Sequence, residues 1–106
     1  RGNCKMLFEL TLVPVGGDSH ISDELAAALQ IIDSSGLPYQ LNATATCVEG
    51  EWDEVMPLIR KCHDSLRQKC PHIITMIKIE DDQGETNKLS RNVAAVEQAV
   101  GHALSH

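Results

Sequence analysis

The sequence predicts an α+β sandwich of strand, helix, strand, strand, helix, strand order, with an additional C-terminal helix. Three observations carry this. Apolar residues recur every three to four positions in 21–32 and 52–66, the mark of two amphipathic helices. Alternating runs at 5–13 and 72–80 mark two strands, and a β-prone stretch ending at Val48 precedes the second helix. Pro14, Gly36, Pro38 and Pro71 punctuate the joins.

Residues 1–4 read as a frayed lead. The first strand is expected over 5–13, with Met6, Phe8, Leu10 and Leu12 on one face and Leu7, Glu9, Thr11 and Val13 on the other. Both faces carry apolar residues, so this is a central strand covered on both sides. Pro14 cannot donate to a ladder and ends it. The polar turn 15–19 leads into the first helix, capped by Ser19 or Ser22, with Asp23 and Glu24 in its first turn. Ile21, Leu25, Ala28 or Leu29, and Ile32 form its apolar face. Gly36 supplies a left-handed C-terminal cap, and Pro38 forbids continuation.

Short strands follow at 39–42 and 43–48. No Asn-Gly or Asp-Gly marks their join, so the hairpin rests on length alone. The second helix is expected over about 51–69, its stripe being Trp52, Val55, Met56, Ile59, Cys62 or His63, and Leu66. Pro57 falls within it: a start at Glu51 puts the proline past the first turn, and a start at Asp53 or Glu54 puts it in or just after that turn. Both stay open. Pro71 closes the helix, and the last strand alternates Ile73, Thr75, Ile77 and Ile79 against Ile74, Met76, Lys78 and Glu80. Residues 81–84 have turn chemistry. Thr86 or Asn87 caps a third helix with the stripe Leu89, Val93, Val96, Val100 and Ala103 or Leu104. Two β-α-β units joined by a hairpin make the ferredoxin-like pattern. Right-handed crossovers place the first two helices on one face of a four-stranded antiparallel sheet. The other face is apolar over a width that one helix does not cover, which predicts self-association.

At 106 residues a single domain spanning 1–106 is expected. A net charge of −6 argues against nucleic acid, and Phe8, Tyr39 and Trp52 are too few aromatics for a stacking platform. No stretch approaches the ~20 apolar residues of a membrane span. No signal-peptide pattern is visible, and Arg1-Gly2 reads as a trimmed start. Cys4, Cys47, Cys62 and Cys70 contain no Cys-x-x-Cys pair and are expected to be reduced in a cytoplasmic protein.

Several constellations invite chemistry and fail on spacing. Cys62 and His63 are adjacent on a helix and diverge by about 100°, while Cys62 and Cys70 lie about 12 Å apart along it. A tetrahedral metal needs its ligands within about 2.3 Å, so no metal is expected. Ser19-His20 and His63 with Ser65 are sequence neighbours, whereas triads assemble from separate elements. Glu49 with Glu51 reads as a charged helix start. Gly16-Gly17 lacks the rest of a phosphate loop. No cofactor is expected.

The fold turns on 46–54, where Thr46-Cys47-Val48 is strand, Gly50 allows a turn, and Glu51, Asp53 and Glu54 meet the positive end of the helix dipole. The run Val48-Glu49-Gly50-Glu51-Trp52-Asp53-Glu54-Val55-Met56 resembles the signature of the small thiamine-binding proteins. The resemblance extends to Val13-Pro14-Val15-Gly16 with Asp18-Ser19, Ser35-Gly36-Leu37-Pro38-Tyr39, Arg60-Lys61-Cys62-His63 and Ile77-Lys78-Ile79. It implies a ferredoxin-like fold, sheets packed on sheets in dimers and tetramers, and binding of thiamine or a related pyrimidine without catalysis. Where such proteins commonly carry Gly-Thr-x-x-Glu-Gly, this chain has Ala45-Thr46-Cys47-Val48-Glu49-Gly50, and Ala45 narrows the space that glycine leaves.

The candidate ligand residues are Asp18, Ser19, Thr46, Glu49 and Trp52. An aminopyrimidine joined to a cationic thiazolium needs hydroxyl or carboxylate partners and an apolar or aromatic wall. Each residue also has an ordinary reading: Ser19 as a cap, Thr46 as strand, Glu49 as solvated, Trp52 as core. The competing function is a structural or regulatory module that acts through its oligomer surface without a small ligand.

Overall fold

The computed structural model describes residues 5–16, 21–83 and 87–106, apart from the side chain of Ile21. Cys4, Asp18, Ser19 and Thr86 lie outside the described residues. The elements run β1 (Met6–Pro14), α1 (Ile21–Ser34), β2 (Tyr39–Leu41), β3 (Thr46–Gly50), α2 (Trp52–Lys69), β4 (Ile73–Glu80) and α3 (Lys88–Val100). The strands form one antiparallel sheet in the order β2-β3-β1-β4. This is the expected ferredoxin-like arrangement with β1 at the centre.

Alternation along β1 decides the layers. Met6, Phe8 and Leu10 are buried against Val48 of β3, Ala28 and Ile32 of α1, and Val55, Leu58, Ile59 and Cys62 of α2. Both helices therefore cover one face of the sheet. The Cys62 thiol donates to the Ala28 carbonyl at 3.3 Å and ties the helices together. Burial pushes that thiol up to about 11, which keeps it neutral. Cys47 and Cys62 are free thiols, and the Cys70 thiol donates to Glu24 Oε2 at 3.1 Å.

Helix boundaries follow local chemistry. After α1, Gly36 adopts φ +81, while Ser35 Oγ donates to the Ile32 carbonyl at 2.6 Å and accepts from Leu37 N–H at 3.1 Å. In α2, Glu51 is the N-cap, and its N–H donates to Glu54 Oε1 at 3.0 Å. The helix thus starts at Trp52 and Pro57 lies past the first turn, removing the N–H that the Asp53 carbonyl would accept. Trp52 opens the helix half-exposed, its ring set edge-on to Phe8 at 5.7 Å and 89°. Leu58 joins the buried stripe that periodicity assigned to Val55, Ile59, Cys62 and Leu66.

Two local expectations need correction. The third strand spans Thr46–Gly50 rather than 43–48, because residues 42–45 close the hairpin, with Asn42 N–H donating to the Ala45 carbonyl at 2.8 Å. Gly50 is not needed for a left-handed turn, since it ends β3 opposite Met6. Its requirement is steric: a Cβ there would sit 2.8 Å from Val55 Cγ2.

The second face of the sheet carries α3, which lies against β3 and β1. None of its residues is fully buried, and Val96, Val100 and Leu104 remain substantially exposed, as do Ile74 and Met76 of β4. One helix leaves much of this face uncovered.

Candidate functional site

Because side chains alternate along β3, Thr46, Val48 and Gly50 point to the helix side and Cys47 and Glu49 to the α3 side. The predicted site residues therefore separate.

Thr46 lies on the helix side, buried, at the end of the sheet where α1 begins. Leu10 and Leu12 of β1, Leu25 and Leu29 of α1, Leu41 of β2 and the turn 42–46 enclose a cleft of about 220 Å³. Five leucines form its wall, and Asn42, Thr44 and Thr46 supply its side-chain hydroxyl and amide groups. None of these lining residues is titratable. Ala45 is part of the wall. The segment 17–20, which contains Asp18 and Ser19, joins β1 to α1, and both elements line this cleft. Tyr39 braces the neighbouring β2 to α1, its hydroxyl donating to Asp33 Oδ1 at 2.6 Å; that bond raises the phenol's pKa.

Glu49 is on the other face and is not solvated: it is 3 % exposed. Its Oε2 accepts the Lys88 backbone N–H at 2.7 Å, at the start of α3. Across the sheet, Leu7 pairs with Glu49 on one side and Glu80 on the other. The Lys88 ammonium reaches Glu80 Oε1 at 3.0 Å and Asp82 Oδ2 at 2.9 Å, and these bonds raise its pKa. One residue thus staples α3 to the sheet, by its backbone to Glu49 and by its side chain to Glu80 and Asp82. A carboxylate at a helix N-terminus is favoured by the dipole as well as the hydrogen bond.

Trp52 is at neither place. Its ring rests on Phe8 at the opposite end of β1 from the Leu12 wall of the cleft. Among the described candidates, only Thr46 lines the cleft. Leu10, Leu12, Leu25 and Leu29 were legible as apolar-face residues but not as a ligand wall; the spacing of Leu10 and Leu12 with period two, and of Leu25 and Leu29 with period four, is the signal that places them on facing surfaces.

A wider, open groove of about 630 Å³ runs between α1 and α2, past Gln30, Ser34, Glu54 and Lys61. It contains none of the candidate residues. No cluster of metal-ligating side chains occurs among the described residues, and no described helix is long and apolar enough to cross a membrane.

Comparison with known proteins gives the chain a place. A UPF0045 protein of Mycobacterium bovis is 28% identical over 94 residues, covering 88% of this chain and 92% of that protein. An uncharacterised Methanocaldococcus jannaschii protein of known structure superposes with a TM-score of 0.80 at 21% identity, over 89% of this chain and 97% of that one. A Thermotoga maritima protein, provisionally assigned to thiamine biosynthesis or salvage, superposes with a TM-score of 0.75 at 23% identity, over 87% and 98% of the two chains. The profile of the thiamine-binding protein family matches residues 8–97, and the chain belongs to that family.

Proposed function

We propose that this protein binds the pyrimidine part of thiamine, or free hydroxymethylpyrimidine, in the cleft beside Thr46. The observation that carries the reading is the cleft's composition: an apolar wall, hydroxyl and amide groups at Asn42, Thr44 and Thr46, and no titratable residue among the described lining residues. At about 220 Å³ it falls below the ~300–1,000 Å³ usual for whole ligands, so it suits one neutral ring. The cationic thiazolium then extends outward, and Asp18 and Ser19 complete the site from the segment between β1 and α1. Glu49 acts in this reading by positioning α3, and Trp52 by packing on Phe8. The protein is cytoplasmic and self-associates through its α3-bearing face, a reading supported by the exposure of Ile74, Met76, Val96 and Val100.

Thr46→Val tests the assignment. The substitution keeps the shape and removes the hydroxyl, so thiamine and hydroxymethylpyrimidine should each lose about 0.5–1.5 kcal/mol of affinity, up to roughly tenfold, by calorimetric titration. Equal affinity in a folded Thr46→Val protein would remove Thr46 from the site. Weight would then move to the alternative of an interaction module without a small ligand.

A further inference from the structure

We infer that Tyr39 and Asp33 form a clasp that sets the width of the Thr46 cleft, so that ligand affinity depends on two positioning residues outside its lining. The inference rests on the pyrimidine reading of that cleft. Its side walls come from different elements: Leu25 and Leu29 of α1 stand on one side, and Leu41 of β2 with the turn 42–45 on the other. On β2, Tyr39 and Leu41 share the helix-side face, opposite Val48 and Thr46 of β3. On α1, Leu25, Leu29 and Asp33 follow one another at four-residue steps and share a side of the helix. Tyr39 and Asp33 are thus the next positions along the same two walls, beyond Leu41 and Leu29. There the walls are joined, because the Tyr39 hydroxyl donates to Asp33 Oδ1 at 2.6 Å. A hydroxyl–carboxylate bond of that length belongs to the charge-assisted, stronger class.

Burial does not fix the gap between these walls. β2 is three residues long, lies at an edge of the sheet and pairs with β3. Leu41 is 60% exposed and Tyr39 is exposed as well, so neither side chain is wedged into the core. The loop between α1 and β2 closes the same end as the clasp: Ser35 Oγ accepts from Leu37 N–H, and the Pro38 carbonyl accepts from Glu49 N–H at 3.0 Å. The cleft is therefore joined at residues 33–39, and its far end lies at Leu25 and the turn 42–45. A small rotation at the joined end is a larger displacement at the far end, where Thr44 and Ala45 stand. Holding the walls at one width before the ligand arrives removes an ordering cost from binding. With the clasp broken, the protein spends less time at the competent width, and the apparent affinity falls by that fraction.

The test is a double-mutant cycle of Tyr39→Phe and Asp33→Ala, read by titration with hydroxymethylpyrimidine and by hydrogen exchange without ligand. Both side chains are exposed, so truncating them leaves the core intact. Each single variant should bind about three- to tenfold more weakly, the scale of one lost hydrogen bond. The double variant should lose no more than either single one, because the two residues act as one unit. Asp33→Asn, which keeps an acceptor oxygen, should lose less than Asp33→Ala. In the ligand-free Tyr39→Phe protein, amides of the β2–β3 pairing should exchange faster, while those of the β1–β4 pairing keep their rates. Unchanged affinity in Tyr39→Phe, or losses that multiply in the double variant, would overturn the clasp. Failure of the unsubstituted protein to bind hydroxymethylpyrimidine would instead overturn the reading of the site. The exchange measurement then decides the clasp by itself, and unchanged β2–β3 rates in Tyr39→Phe would overturn it.

Discussion

Phe8→Ala should cost about 3–5 kcal/mol of unfolding free energy, the usual range for deleting a fully buried aromatic ring. Phe8 is 0% exposed at the centre of the core and supplies the surface on which Trp52 rests edge-on at 5.7 Å. Losing that aromatic pair accounts for about 0.5–1.5 kcal/mol, and the cavity for most of the rest. A domain of this size has roughly 5–15 kcal/mol in hand, so the variant should be folded but marginal. Urea unfolding gives the free energy. Trp52, the chain's single tryptophan, reports separately: its emission should shift to the red in the folded variant once its partner is gone. A loss below 1 kcal/mol would mean that the core is not organised around β1 as described.

Glu49→Ala should cost about 1.5–3 kcal/mol, as expected for a hydrogen bond to a charged group, and should loosen α3 in particular. The substitution leaves the Lys88 amide without the oxygen that sits 2.7 Å away and removes a buried carboxylate from the positive end of the helix. Glu49→Gln keeps an acceptor of the same reach and should lose a smaller part. The distinguishing readout is tryptic cleavage after Lys88 and Arg91, which should accelerate in Glu49→Ala and much less in Glu49→Gln. Thiamine affinity should change little in Glu49→Gln, because Glu49 faces away from the Thr46 cleft. Unchanged stability in Glu49→Ala would remove the staple.

These variants mark where sequence reasoning reached and where it stopped. The helices and their ends were legible because single residues decide them: Gly36 and Pro38 stop α1, and Pro71 follows α2 at once. The order of elements then left few topologies open. The hairpin was misread by two to three residues because the turn at 42–45 closes through backbone hydrogen bonds without a glycine signal. That shift had consequences for the site. A strand ending at Val48 leaves Glu49 in a turn, free to swing toward Thr46. A strand continuing through Gly50 assigns them to opposite faces by alternation alone. Gly50 was legible as special but for the wrong reason, since the constraint comes from Val55 in another element. The burial of Glu49 was not legible at all, because its partner is a backbone amide 39 residues away.

The central claim, that the leucine-lined cleft beside Thr46 holds a pyrimidine, is tested most directly by titrating hydroxymethylpyrimidine into isotope-labelled protein and following its NMR spectrum. Saturable shifts should cluster at Ala45 and Thr46 and at the methyls of Leu10, Leu12, Leu25, Leu29 and Leu41, while Leu89 and Val93 of α3 stay in place. Saturable shifts confined to Glu49, Trp52 and α3, or none at all, would contradict it.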